Sequence, residues 1–219
     1  MLSITYSYLE EKLPKIQFQN YLNLLPKPHQ DQVNRFRFWR DKHLCLFGKL
    51  LLLEGVKKYG YSHSILSNIE YTPFNKPYFN NTLKFNISHS GNMVICAMSN
   101  SYELGVDTEE IKPISKKDFS NLWTQKELEF IIEDENYNWF YKLWTRKEAV
   151  IKADGKGLNI PLKNLDVLAD KVSLHNCIWH LNELSINNKY VVHIATDKEI
   201  LTLPKAIETS FYTTSNFYL

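Results

Sequence analysis

The chain opens on an alternation of apolar and polar positions. Ile4 to Leu9 runs at period two, which predicts a first strand. Leu13 to Leu25 is ambiguous, and one reading is a helix ended before Pro26. Pro28 stands where a first helical turn tolerates proline. From His29 to Tyr59 the pattern is helical throughout. Val33, Phe36, Trp39, Leu44, Phe47, Leu50 and Leu51 recur at helical spacing, and Gly60 is a natural stop. This predicts one long helix. Ser62 to Leu66 reads as a short turn or helix, Ile69 to Thr72 as a short strand, and Phe74-Asn75-Lys76-Pro77 as a turn. Leu83 to Ser88 and Met93 to Ser99 predict a hairpin with Gly91 in its turn. Leu104 to Glu109 is a further strand. Three strands in quick succession predict an antiparallel meander.

Pro113 breaks the chain, and Ser115 to Leu122 reads as helical. Thr124-Gln125-Lys126-Glu127 fits a capping box, which starts a helix running to about Glu133. A second helix spans Asn138 to Asp154 and stops at Gly155. Leu165 to Ala169, Cys177 to Leu181 and Tyr190 to Thr196 predict strands, and the tail from Lys198 gives no pattern. Helix-then-strands therefore occurs twice. Asn92 to Ala97 and Lys189 to Ile194 also share a pattern, which suggests two related halves that meet near Tyr102 to Asp107.

Composition narrows the class. The 219 residues suit one large domain or two small ones, and 44% hydrophobic with 23% charged residues is globular. Lys plus Arg at 26 against Asp plus Glu at 24 makes no general case for nucleic-acid binding. Cys45, Cys96 and Cys177 are odd in number and lack metal spacing, which suits a reducing compartment. No signal peptide and no membrane-spanning run is visible, so the expectation is a cytoplasmic protein without a membrane partner.

The chemistry gathers in two stretches. In Gly105-Val106-Asp107-Thr108-Glu109, period-two geometry points Asp107 and Glu109 to one side. Downstream, Tyr141, Thr145, Glu148 and Lys152 share one helical stripe beside a mostly apolar one containing Phe140, Leu143, Trp144, Lys147 and Ile151. Each stretch alone has a plain reading: a solvated strand end, and an ordinary Glu–Lys pair at i,i+4. Together, three carboxylates and a cation suit a magnesium ion that holds a diphosphate. His89, at a strand end, could donate to a phosphate or simply fill a turn. No Walker A pattern, glycine-rich dinucleotide fingerprint, zinc spacing or nucleophile elbow is present.

Taken in order, the motifs resemble the Sfp-type 4′-phosphopantetheinyl transferases. The matching residues are Asn75-Lys76-Pro77, Phe85 to Gly91, Gly105 to Glu109, Trp144 to Ala149 with Lys152, Gly155-Lys156-Gly157-Leu158, and Pro161-Leu162. The resemblance covers roughly Arg35 to Leu162. It implies an α+β pseudo-dimer of two helix-plus-antiparallel-sheet halves with the active site between them. Residues 1–103 would form the half that contacts coenzyme A, and 104–219 the half that binds metal and catalyses.

The implied reaction moves the phosphopantetheine arm of coenzyme A onto a serine of an apo acyl or peptidyl carrier protein. By position, Asp107, Glu109 and Glu148 would bind Mg²⁺, and Glu148 would also act as base. Lys152 would stabilise the leaving oxyanion, with His89 on a phosphate. Arg40, Lys76, Ser88, His89, Lys147 and Lys152 would contact coenzyme A. The carrier would dock near Lys116 to Phe130, and the enzyme would act as a monomer. Two departures stand out. His29 and Gln32 occupy positions where family lysines often grip the 3′-phosphate, leaving Lys27, Arg35 or Arg40 to substitute. Cys45 stands where a hydroxyl residue can occur. A binding module without turnover and a metal-dependent phosphohydrolase are the competing readings. The first predicts coenzyme A binding without transfer, the second cleavage without a carrier.

Overall fold

The computed structural model describes residues 1–80, 82–157 and 161–212, with side chains at 116–118 left out. In chain order the elements are β1 (Leu2–Tyr8), α1 (Lys15–Asn23), α2 (Lys27–Asn34), α3 (Trp39–Lys58), β2 (Ile69–Tyr71), β3 (Pro77–Phe79), β4 (Lys84–Ser90), β5 (Met93–Ser99) and β6 (Leu104–Glu110). The second half adds α4 (Gln125–Glu133), α5 (Asn138–Asp154), β7 (Lys171–Leu174), β8 (Cys177–Glu183), β9 (Tyr190–Thr196) and β10 (Ile207–Glu208). Short 3₁₀ turns cover His63–Asn68, Lys116–Leu122 and Leu162–Asn164.

Two four-stranded sheets organise the molecule, in the orders β10-β1-β5-β4 and β6-β9-β8-β7. The fold is thus an α+β pseudo-dimer. Strands β5 and β9, the two that share a sequence pattern, are inner strands of their sheets. Burial explains the likeness, because every residue of β5 and all but the first of β9 are buried. In the first lobe α3 covers one sheet face through Leu46, Phe47, Leu50 and Leu53, and α1 and α2 pack on α3. In the second, α5 does so through Phe140, Leu143 and Val150, and α4 packs on α5. A third apolar cluster, including Ile4, Met93, Ile95, Val106, Val192 and Ile194, joins residues of both sheets. Among the described residues no helix is long and apolar enough to cross a membrane.

Several expectations need correction. The predicted long helix is two, broken at 35–38, where Phe38 is extended at φ −85°, ψ 139°. The predicted meander ends after β5, since β6 pairs with β9 instead. Strand β6 lies beside β4 through side chains. Val106 N–H donates to Asn86 Oδ1 at 2.9 Å and Glu110 N–H to Ser90 Oγ at 3.1 Å. Residues 165–169 form no strand, because their carbonyls serve buried cations of α5. The tail past Thr196 returns to the first lobe. There β10 pairs parallel to β1, and Phe211 is fully buried against Phe47 with ring centroids 4.8 Å apart. The capping box at Thr124 and Glu127 forms as expected. Gly155 ends α5 in the left-handed region at φ +75°.

Candidate active site

The seam between β4 and β6 builds the site, and α5 closes it. Gly105 sets the distance. A Cβ there would lie 2.3 Å from both Ala149 O and Ala153 N, so only glycine lets the α5 backbone lie this close to β6. That close approach brings Lys152 to Asp107. The Lys152 ammonium donates to Asp107 Oδ1 at 2.5 Å and to Ser88 Oγ at 2.9 Å, while Ser88 Oγ donates to the same oxygen at 2.8 Å. Asp107 Oδ2 is buried without a hydrogen-bond partner among the described residues. Burial raises the Asp107 pKa, against the opposing pull of Lys152 and Ser88.

Glu109 lies one strand period further on. Ser90 Oγ donates to it at 2.5 Å, and Trp144 also hydrogen-bonds it. Glu148, half-buried on α5, makes no hydrogen bond among the described residues. Burial raises the pKa of both, and Asp107 raises each further. The three acids therefore feel one another. They are not gathered into a cluster able to hold a metal ion among the described residues. Asp107 instead spends one oxygen on Lys152 and Ser88.

The remaining expected residues divide. His89 is exposed at the end of β4, and partial desolvation followed by the Lys152 charge lowers its pKa. Arg40 is exposed and donates to Asn92 Oδ1 in the adjoining turn. Lys76 follows Asn75, which turns the chain at φ +63°. Its ammonium lies 2.7 Å from Ala153 O, satisfying a carbonyl of the last turn of α5. Burial lowers the Lys76 pKa to about 8. Lys76, Asn86, Glu148, Ile151 and Lys152 line one cavity of about 260 Å³.

Lys147 does not belong to this site. It is fully buried on the other side of α5, and its ammonium lies 2.8 Å from Glu127 Oε2, 2.7 Å from Leu162 O and 2.8 Å from Leu165 O. Those three partners use the three protons of the amine, so the expectation that Lys147 contacts coenzyme A fails. His29 is buried against Leu66 O at 2.8 Å, and Gln32 accepts from Lys49 at 2.7 Å. Leu158 lies outside the described residues. Asn86, Ser90 and Trp144 stand in the motifs read from the sequence, but none of them is given a role in the site there. For Asn86 and Ser90 the available signal was polar residues at period two on a strand with an otherwise apolar face.

A family profile described as the 4′-phosphopantetheinyl transferase superfamily matches residues 103–203, and one described as 4′-phosphopantetheinyl transferase, N-terminal, matches residues 14–101. A 4′-phosphopantetheinyl transferase of Bacillus subtilis is 31% identical over 167 residues, spanning 73% of each chain. The transferase Sfp of Bacillus subtilis strain 168 is 29% identical over 165 residues, again 73% of each. One from Aneurinibacillus migulanus is 27% identical over 190 residues, 84% of this chain and 77% of the relative. At this identity and coverage the relatives define the class, and this chain belongs to the 4′-phosphopantetheinyl transferase family.

Proposed function

We propose that the seam performs the transfer that defines the family. The 4′-phosphopantetheine arm of coenzyme A passes to a serine of an apo acyl or peptidyl carrier protein, and adenosine 3′,5′-bisphosphate leaves. The observation that carries this reading is the acidic trio around a half-buried cation: Asp107 with an unpartnered buried oxygen, Glu109 and Glu148 beside it, and Lys152 between the lobes. The three carboxylates stand apart in this structure, with one Asp107 oxygen taken by Lys152 and Ser88, but their chemistry suits Mg²⁺, which prefers oxygen ligands and can keep waters. Asp107, Glu109 and Glu148 would hold it, and when bound it would neutralise charge on the diphosphate.

The chain's own groups supply the rest. Glu148 has a raised pKa, which brings a carboxylate base nearer to neutral pH, and it takes the proton of the carrier serine. The serine oxygen then bonds to the phosphorus that carries the pantetheine arm, as the bond from that phosphorus to the bisphosphate breaks. Lys152 donates to the oxygen that gains charge. Ser88 and His89 hold phosphate oxygens, and Arg40 and Lys76 add cations at the rim. The 1–103 half supplies most of these cofactor contacts and the 104–219 half the acids. The free cysteines suit a reducing compartment such as the cytoplasm, and the balanced charge makes no general case for a nucleic-acid partner.

Incubating the protein with Mg²⁺, coenzyme A and apo carriers of both kinds should add one phosphopantetheine to the carrier mass. No gain with any carrier would sink the reading. Gly105 gives a second check. In Gly105→Ala the new methyl meets the α5 backbone, so the helix must move off β6 and carry Glu148 and Lys152 with it. Transfer should fall about 100-fold, as expected for a displacement near 1 Å. Stability should fall by about 1–3 kcal/mol for the overpacking, read from denaturant unfolding.

A further inference from the structure

We infer that the exposed loop joining α2 to α3 is the surface on which the carrier protein docks, and that it receives an acidic amphipathic helix of that partner. This rests on the reading above that the partner is a carrier. The loop has an unusual composition for solvent-facing chain. Phe36, Phe38 and Trp39 are 42%, 66% and 37% exposed within four residues. Arg35, Arg37 and Arg40 are exposed among them, and Lys42 follows, so Arg35 to Lys42 holds four cations and one acid, Asp41. The guanidinium carbons of Arg37 and Arg40 each lie 5.7 Å from a ring centroid, of Phe38 and Trp39 respectively. Aromatic side chains and arginine together are the composition of a protein interface centre.

Position adds to composition. Arg40 donates to Asn92, in the turn that follows Ser88, His89 and Ser90 at the end of β4. A partner seated on this loop therefore lies against the rim of the seam, where its serine must arrive. Charge decides between this surface and its rival. An exposed apolar group on α4 and α5, Phe130, Ile132 and Trp139, has Glu129, Glu133 and Glu135 exposed around it against two cations, Lys126 and Lys142, the latter 5.5 Å from the Trp139 ring centroid. Carrier proteins are usually acidic, so that face repels them while the arginine loop attracts them. This moves the docking site away from the Lys116 to Phe130 region that the sequence suggested.

The test uses steady-state kinetics on the whole enzyme, with apo carrier and coenzyme A varied in turn. In an Arg37→Glu, Phe38→Ala variant the carrier KM should rise about tenfold, more at low salt, because steering and an apolar anchor are both lost. kcat and the coenzyme A KM should stay unchanged. An Ile132→Ser control on the rival face should leave the carrier KM unchanged. A carrier KM that does not move in the loop variant overturns the inference. So does a rise in the coenzyme A KM in its place, which would assign the cations to a cofactor phosphate. Loss confined to binding of phosphatidylglycerol vesicles or poly(U) RNA overturns it too. If the unaltered enzyme transfers to no carrier, the functional reading has failed. Direct titration with a carrier whose acceptor serine is alanine then decides the surface: binding that the loop variant loses supports it, and equal or absent binding overturns it.

Discussion

Replacing Glu148 by glutamine is expected to abolish most transfer while leaving the fold at least as stable as before. The amide cannot take the serine proton, and a missing general base costs about 10²–10⁴-fold in rate. Stability moves the other way. Burial, then Asp107 and Glu109, raise the Glu148 pKa above its ordinary 4.5. The folded protein thus holds this proton to higher pH than the unfolded chain. Stability from that proton is lost as pH rises from about 4.5 through the folded value, and glutamine removes the loss. The melting temperature of the variant should draw ahead of the parent's with rising pH and then level off. Single-turnover transfer and thermal melts across pH check both halves. A variant of full activity would remove Glu148 from its role, and one less stable at neutral pH would refute the electrostatic account.

The Lys147→Met substitution is expected to do the reverse, damaging the fold on the side of α5 turned away from the seam. Lys147 and Glu127 are both fully buried. Glu127 also accepts from Thr124 N–H at 2.8 Å and Val167 N–H at 3.2 Å, so one carboxylate ties α4, α5 and the 161–167 segment together. Burial alone lowers the Lys147 pKa, and Glu127 works against that. Methionine fills similar space but leaves Glu127 an uncompensated buried charge. Breaking such a pair costs about 3–5 kcal/mol. For a chain of this size that is roughly 6–20 °C in melting temperature. A Lys147→Met, Glu127→Gln double variant should regain part of the loss, because the amide still offers an acceptor without a charge. Denaturant titration of the three proteins separates these outcomes, and a single variant as stable as the parent would show the pair contributes nothing.

The parts of this fold legible in the sequence are those that local chemistry decides. The Thr124–Glu127 capping box, the Gly155 stop and the hairpin at Gly91 need only their own neighbours. Asp107 and Glu109 were readable as a pair because β6 keeps period two. Long-range compensation was not readable. The break at 35–38 hid because Phe36 and Trp39 keep helical spacing while facing solvent, so periodicity alone marks them as core. Leu165 to Ala169 looks like a strand, yet Arg146 takes Val167 O at 2.6 Å and Ala169 O at 2.7 Å. With those carbonyls satisfied by a buried guanidinium, no ladder is needed. Lys147 was misassigned for the same reason. Lysine inside a motif rich in catalytic groups suggests a ligand contact, but here it answers the carbonyls of a neighbouring segment.

The return of Phe211 to Phe47 has a consequence for the order in which the protein is made. The lobe that begins emerging first from the ribosome lacks an aromatic ring and an edge strand of its own sheet until residues 207–212 appear. Tyr21 OH and Gln17 Nε2 both wait for Phe211 O, at 2.9 Å each. The second lobe, finished at Thr196, needs no later segment for its sheet. During synthesis the acidic strand β6 is therefore paired with β9 before the first lobe is complete, and a nascent chain cut short near residue 203 carries Asp107 and Glu109 beside an unfinished partner.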